Sequence, residues 1–440
     1  MNKWTSASFW LAGVQWMFFL FANTVVVPLS VGVALGFSPG LIAYLVKVTF
    51  VVTGAASILQ ACFGHRYALM EGPAGLWWGL ILSLAAAAPS MGMSPGELGG
   101  ALSAGMIAAG ALTSLLGALG FGALLKKAFT PVVMFVYLFL LSSQLIIVFF
   151  KSMTGVSAGG RIDLPVAALS AAIVILVGWI GIKGRGLLGN YSILIGMVAG
   201  WAAYRLLFPG AEGSGAGQAG TGPGMILFPW GAPRIETGVM FAALLAGLIN
   251  MTNTVTALSA ADKLYGRLST DASYKRSFHL TALHTAVAGL FGLVPYGPYT
   301  SSIGFLESTR ILDRSALVLG GALFVVLGFV PALGTFFAAM PASVGGAVLF
   351  VVYLQLFGTA FRNLQGYSFN PKTVYRIAAP ALLGISILNV PADAFAGFAG
   401  AIRPIVGNGL LMGVLVSILL ENMVDWSAYG QLRQTEERRE

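Results

Sequence analysis

Runs of about 20 mostly apolar residues recur along almost the whole of this 440-residue chain, each closed by a short polar connection. A helix rises about 1.5 Å per residue, so a run of that length crosses the hydrocarbon core of a bilayer. On that ruler the first seven spans fall near residues 8–29, 39–62, 72–88, 99–123, 129–150, 165–182 and 187–208. The next seven fall near 237–259, 277–294, 300–311, 315–338, 341–360, 373–390 and 404–421, and the third and tenth are the short ones. With 57% hydrophobic and 9% charged residues, against roughly 45–50% and 25% in soluble domains, a soluble fold could not cover the apolar surface. The expectation is an all-α, multi-pass integral membrane protein with the lipid bilayer as its main surroundings.

Basic residues collect in cytoplasmic connections, and this tests the count. With both termini in the cytoplasm, 18 Lys and Arg fall inside and five outside (Lys151, Arg161, Arg205, Arg234, Arg403), with Lys47 within a span. The same distribution argues against a nucleic-acid partner despite the net charge of +9. A cleavable leader is not expected, because the first apolar run begins near Phe9 with a minimal charged flank and continues past Pro28. Cys62 is alone and His65, His279 and His284 are scattered, so no disulfide, metal site or cofactor is expected.

The Gly-rich stretch Pro209–Gly224 reads as an external linker between two halves of seven spans. Weak echoes agree: Asn23-Thr24-Val25 with Asn253-Thr254-Val255, Gly72-Pro73 with Gly297-Pro298, and Pro131 with Pro341. An odd number of spans per half orients the halves oppositely, the inverted-repeat plan of many secondary transporters.

In such folds the substrate meets broken helices near the midplane. Two segments look broken. Glu71-Gly72-Pro73 should run extended to about Ala74, with helix from near Gly75; Pro295 to Ser302 should do likewise, with helix from about Ile303. Two free helix N-termini would then face each other and offer N–H groups to a planar ligand with carbonyl oxygens. The alternative is that Gly and Pro merely kink packed helices. Charges within spans are costly and usually functional: Lys47, Glu71 at the first break, and Glu307 in the tenth span. Glu71 could bind a ligand N–H, carry a coupling proton, or form a structural pair with Lys47. Asn250, Asn253 and Thr254 share one helical face, which must look into the bundle, toward a ligand or toward other helices. Gln15, Asn23 and Thr24 form a similar stripe. Tyr67, Trp77, Trp78, Tyr296 and Tyr299 could stack on an aromatic ligand or simply pack.

Several stretches resemble the nucleobase–ascorbate transporters. Gln15-Trp16 followed by Thr24-Val25-Val26-Val27-Pro28-Leu29 is similar to that family's first span, Glu71 to Gly75 to its extended segment in span three, and Tyr299 to Gly304 with Thr309-Arg310 to its tenth span. The resemblance implies a fourteen-span, seven-plus-seven inverted repeat. It divides the chain into a core domain (1–123 and 237–338) and a gate domain (124–208 and 339–421), with the linker at 209–236 and a cytoplasmic tail at 422–440. It implies a permease in the cell membrane for a base such as uracil or xanthine, usually moved with protons, with a homodimer as one assembly. The base site would comprise Glu71, Gly72, Ala74, Gly75, Asn250, Asn253, Thr254, Tyr299, Thr300 and Ser301, with main-chain N–H groups near Ala74 and Thr300 meeting base carbonyls. Glu71 and Glu307 are the candidates for proton coupling. This chain departs from the family pattern at four places: Trp16 replaces a histidine, Asn250 a glutamate, Thr254 a histidine, and Ser301 a glutamate or glutamine. These departures leave open another base, another coupling cation, or an uncoupled nucleobase facilitator. Two other classes compete: an anion carrier of the same architecture, since helix N-termini suit anions, and an intramembrane enzyme, for which no nucleophile–base or paired-acid motif is present.

Overall fold

The computed structural model describes residues 7–89, 91–121, 129–156, 161–184, 189, 192–209, 226–330, 332, 340–399 and 402–426. Most of the expected linker, together with Lys3, Lys126, Lys127, Arg185, Arg433, Arg438 and Arg439, lies outside these residues.

The chain is built of helices with two short strands. Its first half contains α1 (Ala7–Thr24), α2 (Val26–Ala34), α3 (Pro39–Cys62), β1 (Glu71–Pro73), α4 (Gly75–Ala87), α5 (Pro95–Ala118), α6 (Pro131–Met153), α7 (Leu164–Lys183) and α8 (Ser192–Leu207). Its second half contains α9 (Thr237–Tyr265), α10 (Asp271–Phe291), β2 (Tyr296–Pro298), α11 (Ser301–Thr309), α12 (Arg314–Gly328), α13 (Ala342–Arg362), α14 (Pro371–Asn389), a 3-10 turn (Ala392–Phe395), α15 (Arg403–Val406) and α16 (Gly409–Met423). Among the described residues six helices are long and apolar enough to cross a membrane, taking α1 and α2 together as Ser8–Ala34. The helix expected from about Ile303 starts two residues earlier, at Ser301.

Local chemistry sets where these helices begin. Ser38, Ser94, Thr130, Asp163 and Asn370 each accept a hydrogen bond from the first turn, and each is followed by a proline within that turn. A side-chain oxygen satisfies an orphan N–H, and proline loses nothing where no N–H is needed. Proline also explains the break between α1 and α2. Pro28 cannot donate to the Thr24 carbonyl, four residues back, and the helix is interrupted at Val25.

Helices pack in two groups. In one, α5 lies between α9 and α10, and α12 lies between α1 and α3. In the other, α6 packs on α13, α14 and α16, while α7 and α8 pack on each other and on α13. Glycines let backbones touch: a methyl group on Gly54 of α3 would lie 2.5 Å from the Gly321 carbonyl of α12, and one on Gly409 would collide with that of Gly384. Close approach through small residues is how membrane helices associate where lipid supplies no hydrophobic drive. Outward faces stay apolar, as at Ile175, Trp179 and Ile182 of α7 and Val198, Leu206 and Leu207 of α8.

Candidate functional site

The two broken segments meet. Strands β1 and β2 pair antiparallel, Glu71 opposite Pro298, Gly72 opposite Gly297 and Pro73 opposite Tyr296. Flanking bonds extend the ladder: Ala74 N donates to the Pro295 carbonyl at 2.7 Å and Tyr299 N to that of Met70 at 2.9 Å. Each strand leads into a short helix whose N-terminus no side chain caps, α4 after Ala74 and α11 after Thr300. Such ends carry the positive end of the helix dipole; at α11 the amides of Ser302 and Ile303 donate to the Tyr299 and Thr300 carbonyls at 3.1 and 3.0 Å.

Neighbouring residues on a strand point to opposite faces. The register therefore places Gly72 and Gly297 on one face, and Glu71 and Tyr296 on the other. On the glycine face lies α9. Asn250 Nδ2 donates to the Tyr296 carbonyl at 2.7 Å, and its Oδ1 accepts from Asn253 Nδ2 at 2.8 Å. Both ends of the Asn250 amide are thus committed, and Asn253 continues the line toward Tyr137 of α6. Tyr299 donates to the Pro73 carbonyl at 2.6 Å. Tyr353 of α13 approaches from the other helix group: a methyl group on Gly75 would lie 3.5 Å from its hydroxyl. Tyr137, Tyr299 and Tyr353 are near enough to interact electrostatically. Here two uncapped helix ends, two asparagines and three tyrosine rings converge where the two helix groups meet. Tyr137 and Tyr353 escape a reading of the sequence because each is one aromatic among several in an apolar run, with Phe135 and Phe139 around Tyr137 and Phe350 and Phe357 around Tyr353.

The other face is closed by α3 and α10. Ser57 Oγ accepts from Glu71 N and donates to the Glu71 carbonyl, both at 3.1 Å. Thr281 Oγ1 donates to Glu71 Oε1 at 2.6 Å, Gln60 Nε2 donates to Thr281 Oγ1 at 3.0 Å, and Ser277 Oγ donates to Gln60 Oε1 at 3.1 Å. Tyr296 shares a hydrogen bond with Thr53 at 3.1 Å. The Glu71 carboxyl, counted with the base site from the sequence, is fully buried here, across the strands from Asn250 and on the face opposite Gly72 and Gly297. The expected pairing with Lys47 is not made: hydroxyl and amide groups take the place of the cation, and among the described residues no ion pair reaches Glu71.

The remaining predicted residues divide. Ala74 and Gly75 stand at the α4 end. Thr254 is buried with its hydroxyl unpartnered. Thr300 is half-buried at the α11 end, whereas Ser301 and Glu307 lie on the exposed side of α11. Trp77 and Trp78 are packing residues; both are fully buried, and Trp78 Nε1 donates to Ser30 Oγ at 2.8 Å. Tyr67 lies outside the cluster, where its hydroxyl donates to Asp262 Oδ1 at 2.7 Å beneath the Arg267 guanidinium.

Paired strands between uncapped helix ends, held within apolar helices, define a multi-pass membrane protein with two interrupted helices. A family model described as "Permease family" matches residues 7–393. The chain belongs to that family, the nucleobase–ascorbate transporter group. It is 28% identical over 430 residues to YwdJ of Bacillus subtilis (strain 168), covering 94% of this chain and 96% of that one. It is 27% identical over 421 residues to the uric acid permease PucJ of the same organism, covering 92% and 90%. The fold is similar to the transmembrane domain of the cyanobacterial bicarbonate transporter BicA, with a TM-score of 0.63 at 16% identity, covering 96% of this chain and 98% of that one.

Proposed function

We propose that this chain is a secondary transporter for a purine or pyrimidine base such as uracil or xanthine. It moves the base across the cell membrane by alternating access and, in this reading, together with protons. The observation that carries the reading is the pair of uncapped helix ends flanking β1 and β2 beside Asn253, Tyr137, Tyr299 and Tyr353. The main-chain N–H groups after Ala74 and Thr300 suit base carbonyls, Asn253 suits a ring N–H or carbonyl, and Tyr299 offers a face for stacking. Gly72 and Gly297 let the Tyr299 ring and the Asn250 amide close onto the strands; Asn250 fixes β2 and orients Asn253. Thr254 and Ser301 belong to the edge of the site. The relatives are permeases for uric acid, xanthine and purines, which supports the same solute class. An anion carrier is less well supported, because none of the groups placed around this cleft is cationic.

The architecture we infer is fourteen spans in two inverted halves of seven, with both termini cytoplasmic. The packing supports it. If each element of the first half is exchanged for its counterpart seven spans later, α5 on α9 becomes α12 on α1, and α5 on α10 becomes α12 on α3. Likewise α7 on α8 becomes α14 on α16, and α6 on α13 maps onto itself, as does β1 on β2. The group containing the strands would be the core, residues 1–123 and 237–338, and the group around α6 and α13 the gate, residues 124–208 and 339–421. Uptake of labelled uracil, xanthine, hypoxanthine and adenine into cells or proteoliposomes, with and without a pH gradient, tests the reading. Saturable uptake of at least one base is expected; uptake of none overturns it.

A further inference from the structure

We propose that Glu71 and His284 form a proton site on the face of the strand pair opposite the base cleft, so that the proton and the base never touch. The inference rests on the permease reading above and deepens it. Three observations carry it. The register turns the Glu71 side chain away from Asn250 and Asn253 and toward α10. Its Oε1 is held by Thr281, while Oε2 is buried with no partner. Finally, His284 lies one helical turn along α10 from Thr281, hence on the same face; it is 4% exposed, and both of its ring nitrogens are without partners.

Tyr296 joins the two groups. Its ring centroid is 6.0 Å from that of His284, and it projects from β2 on the same face as Glu71. Of the titratable groups on this face, Tyr296 of β2 is near enough to Glu71 to interact with it electrostatically, and His284 of α10 lies against Tyr296. From α3 come Ser57 and Gln60, and from α10 Ser277 and Thr281, none of which titrates in the working range. In the loaded state the carboxyl carries its proton on Oε2 and accepts from Thr281 at Oε1. On release Glu71 becomes a carboxylate and gives up the proton on Oε2, which the neutral imidazole of His284, one turn along α10 from Thr281 and with both ring nitrogens unpartnered, is placed to relay out of the site. Glu71 lies directly on the ladder, with Ser57 binding both of its main-chain groups, so a change in its charge acts on the strand that shapes the cleft.

The test uses the purified full chain in proteoliposomes, with a labelled base that the wild type carries and a pH-sensitive dye inside. Glu71→Gln should keep base exchange without a gradient within about twofold of wild type, lose gradient-driven accumulation at least tenfold, and lose base-dependent proton entry. His284→Gln should keep exchange and slow proton-coupled uptake. Thr281→Val, which keeps the carboxyl but removes its donor, should shift the pH at which accumulation is half-maximal, and this decides the matter if Glu71→Gln does not fold. Coupled accumulation that survives Glu71→Gln overturns the inference, as does an unshifted pH profile in Thr281→Val. Base uptake by the wild type with no proton entry overturns it, together with the proton coupling proposed above, and leaves base transport itself standing. Absence of any base uptake by the wild type removes both.

Discussion

At the scale of single residues, the site uses side chains mainly to hold the main chain in place. Tyr299 shows the division of labour: its hydroxyl holds the Pro73 carbonyl at 2.6 Å while its ring lies over Gly72. Tyr299→Phe leaves that carbonyl without its donor, at a cost of about 1–3 kcal/mol, yet keeps the ring. A lowered melting temperature with base affinity preserved within a few-fold is expected. Tyr299→Ala should lose affinity at least tenfold as well. Equal affinities for the Phe and Ala variants, measured by thermal shift against base concentration, would exclude stacking on this ring. Glu71 and the Asn250–Asn253 stripe were legible in the sequence because a charge or an amide within an apolar run has few permitted surroundings. Which face of the break each would occupy was not legible. That follows from strand register, and β1 meets β2 across more than 200 residues of chain. Thr281, Gln60 and His284 were hidden for the same reason: their role exists only once α3 and α10 are folded against β1.

At the scale of elements, caps and breaks were the most readable features. Serine or threonine followed by proline announces α3, α5 and α6, and glycine with proline announces the two strands. What the pattern did not reveal was how ends are tied to distant partners. At the start of α5, Ser94 N donates to Glu97 Oε2 at 2.9 Å, and Arg234 pairs with the same carboxylate. The Ser94 amide first, and the Arg234 guanidinium second, pull the Glu97 carboxyl from 4.5 down to about 2. A depressed carboxyl contributes stability above its unfolded value and loses it as pH falls toward the folded value. The gap in melting temperature between wild type and Glu97→Gln should therefore be constant above about pH 4.5 and shrink toward pH 2; a gap that widens on acidification would refute the cap. A second tie joins α14 to α16 and α6. Arg376 pairs with Glu421, which also accepts from Thr130 Oγ1 at 2.7 Å, and the Glu421 side chain is only 3% exposed. Arg376→Ala strands a buried carboxylate, which costs about 3–5 kcal/mol. The expected result is a sharp fall in folded yield, with uptake per folded molecule retained.

At the scale of the whole molecule, transport by alternating access requires the two helix groups to move past each other, so contacts between them must break and reform. One such contact is polar and specific: Gln144 Nε2 of α6 donates to the Gly79 carbonyl of α4 at 3.0 Å. It sits one turn into α4, beyond its uncapped N-terminus, so sliding α4 along α6 breaks it without disturbing β1 or β2. Packing within each group is different in kind. Backbones touch through glycine pairs such as Gly54 with Gly321 and Gly384 with Gly409, and such dense contacts do not slide. The molecule should then behave as two stiff bodies with a few exchangeable bonds between them. Cysteines at positions 79 and 144, in a chain where Cys62→Ser removes the native thiol, should cross-link with a short thiol-directed reagent. Joined in this way, the protein is expected to lose base uptake at least tenfold, to regain it when a reducible link is cleaved, and to keep base binding throughout. If the cross-linked protein carries base at the wild-type rate, the core does not move against the gate along α4 and α6, and the two groups must instead translocate the base by rearrangements inside the strand pair.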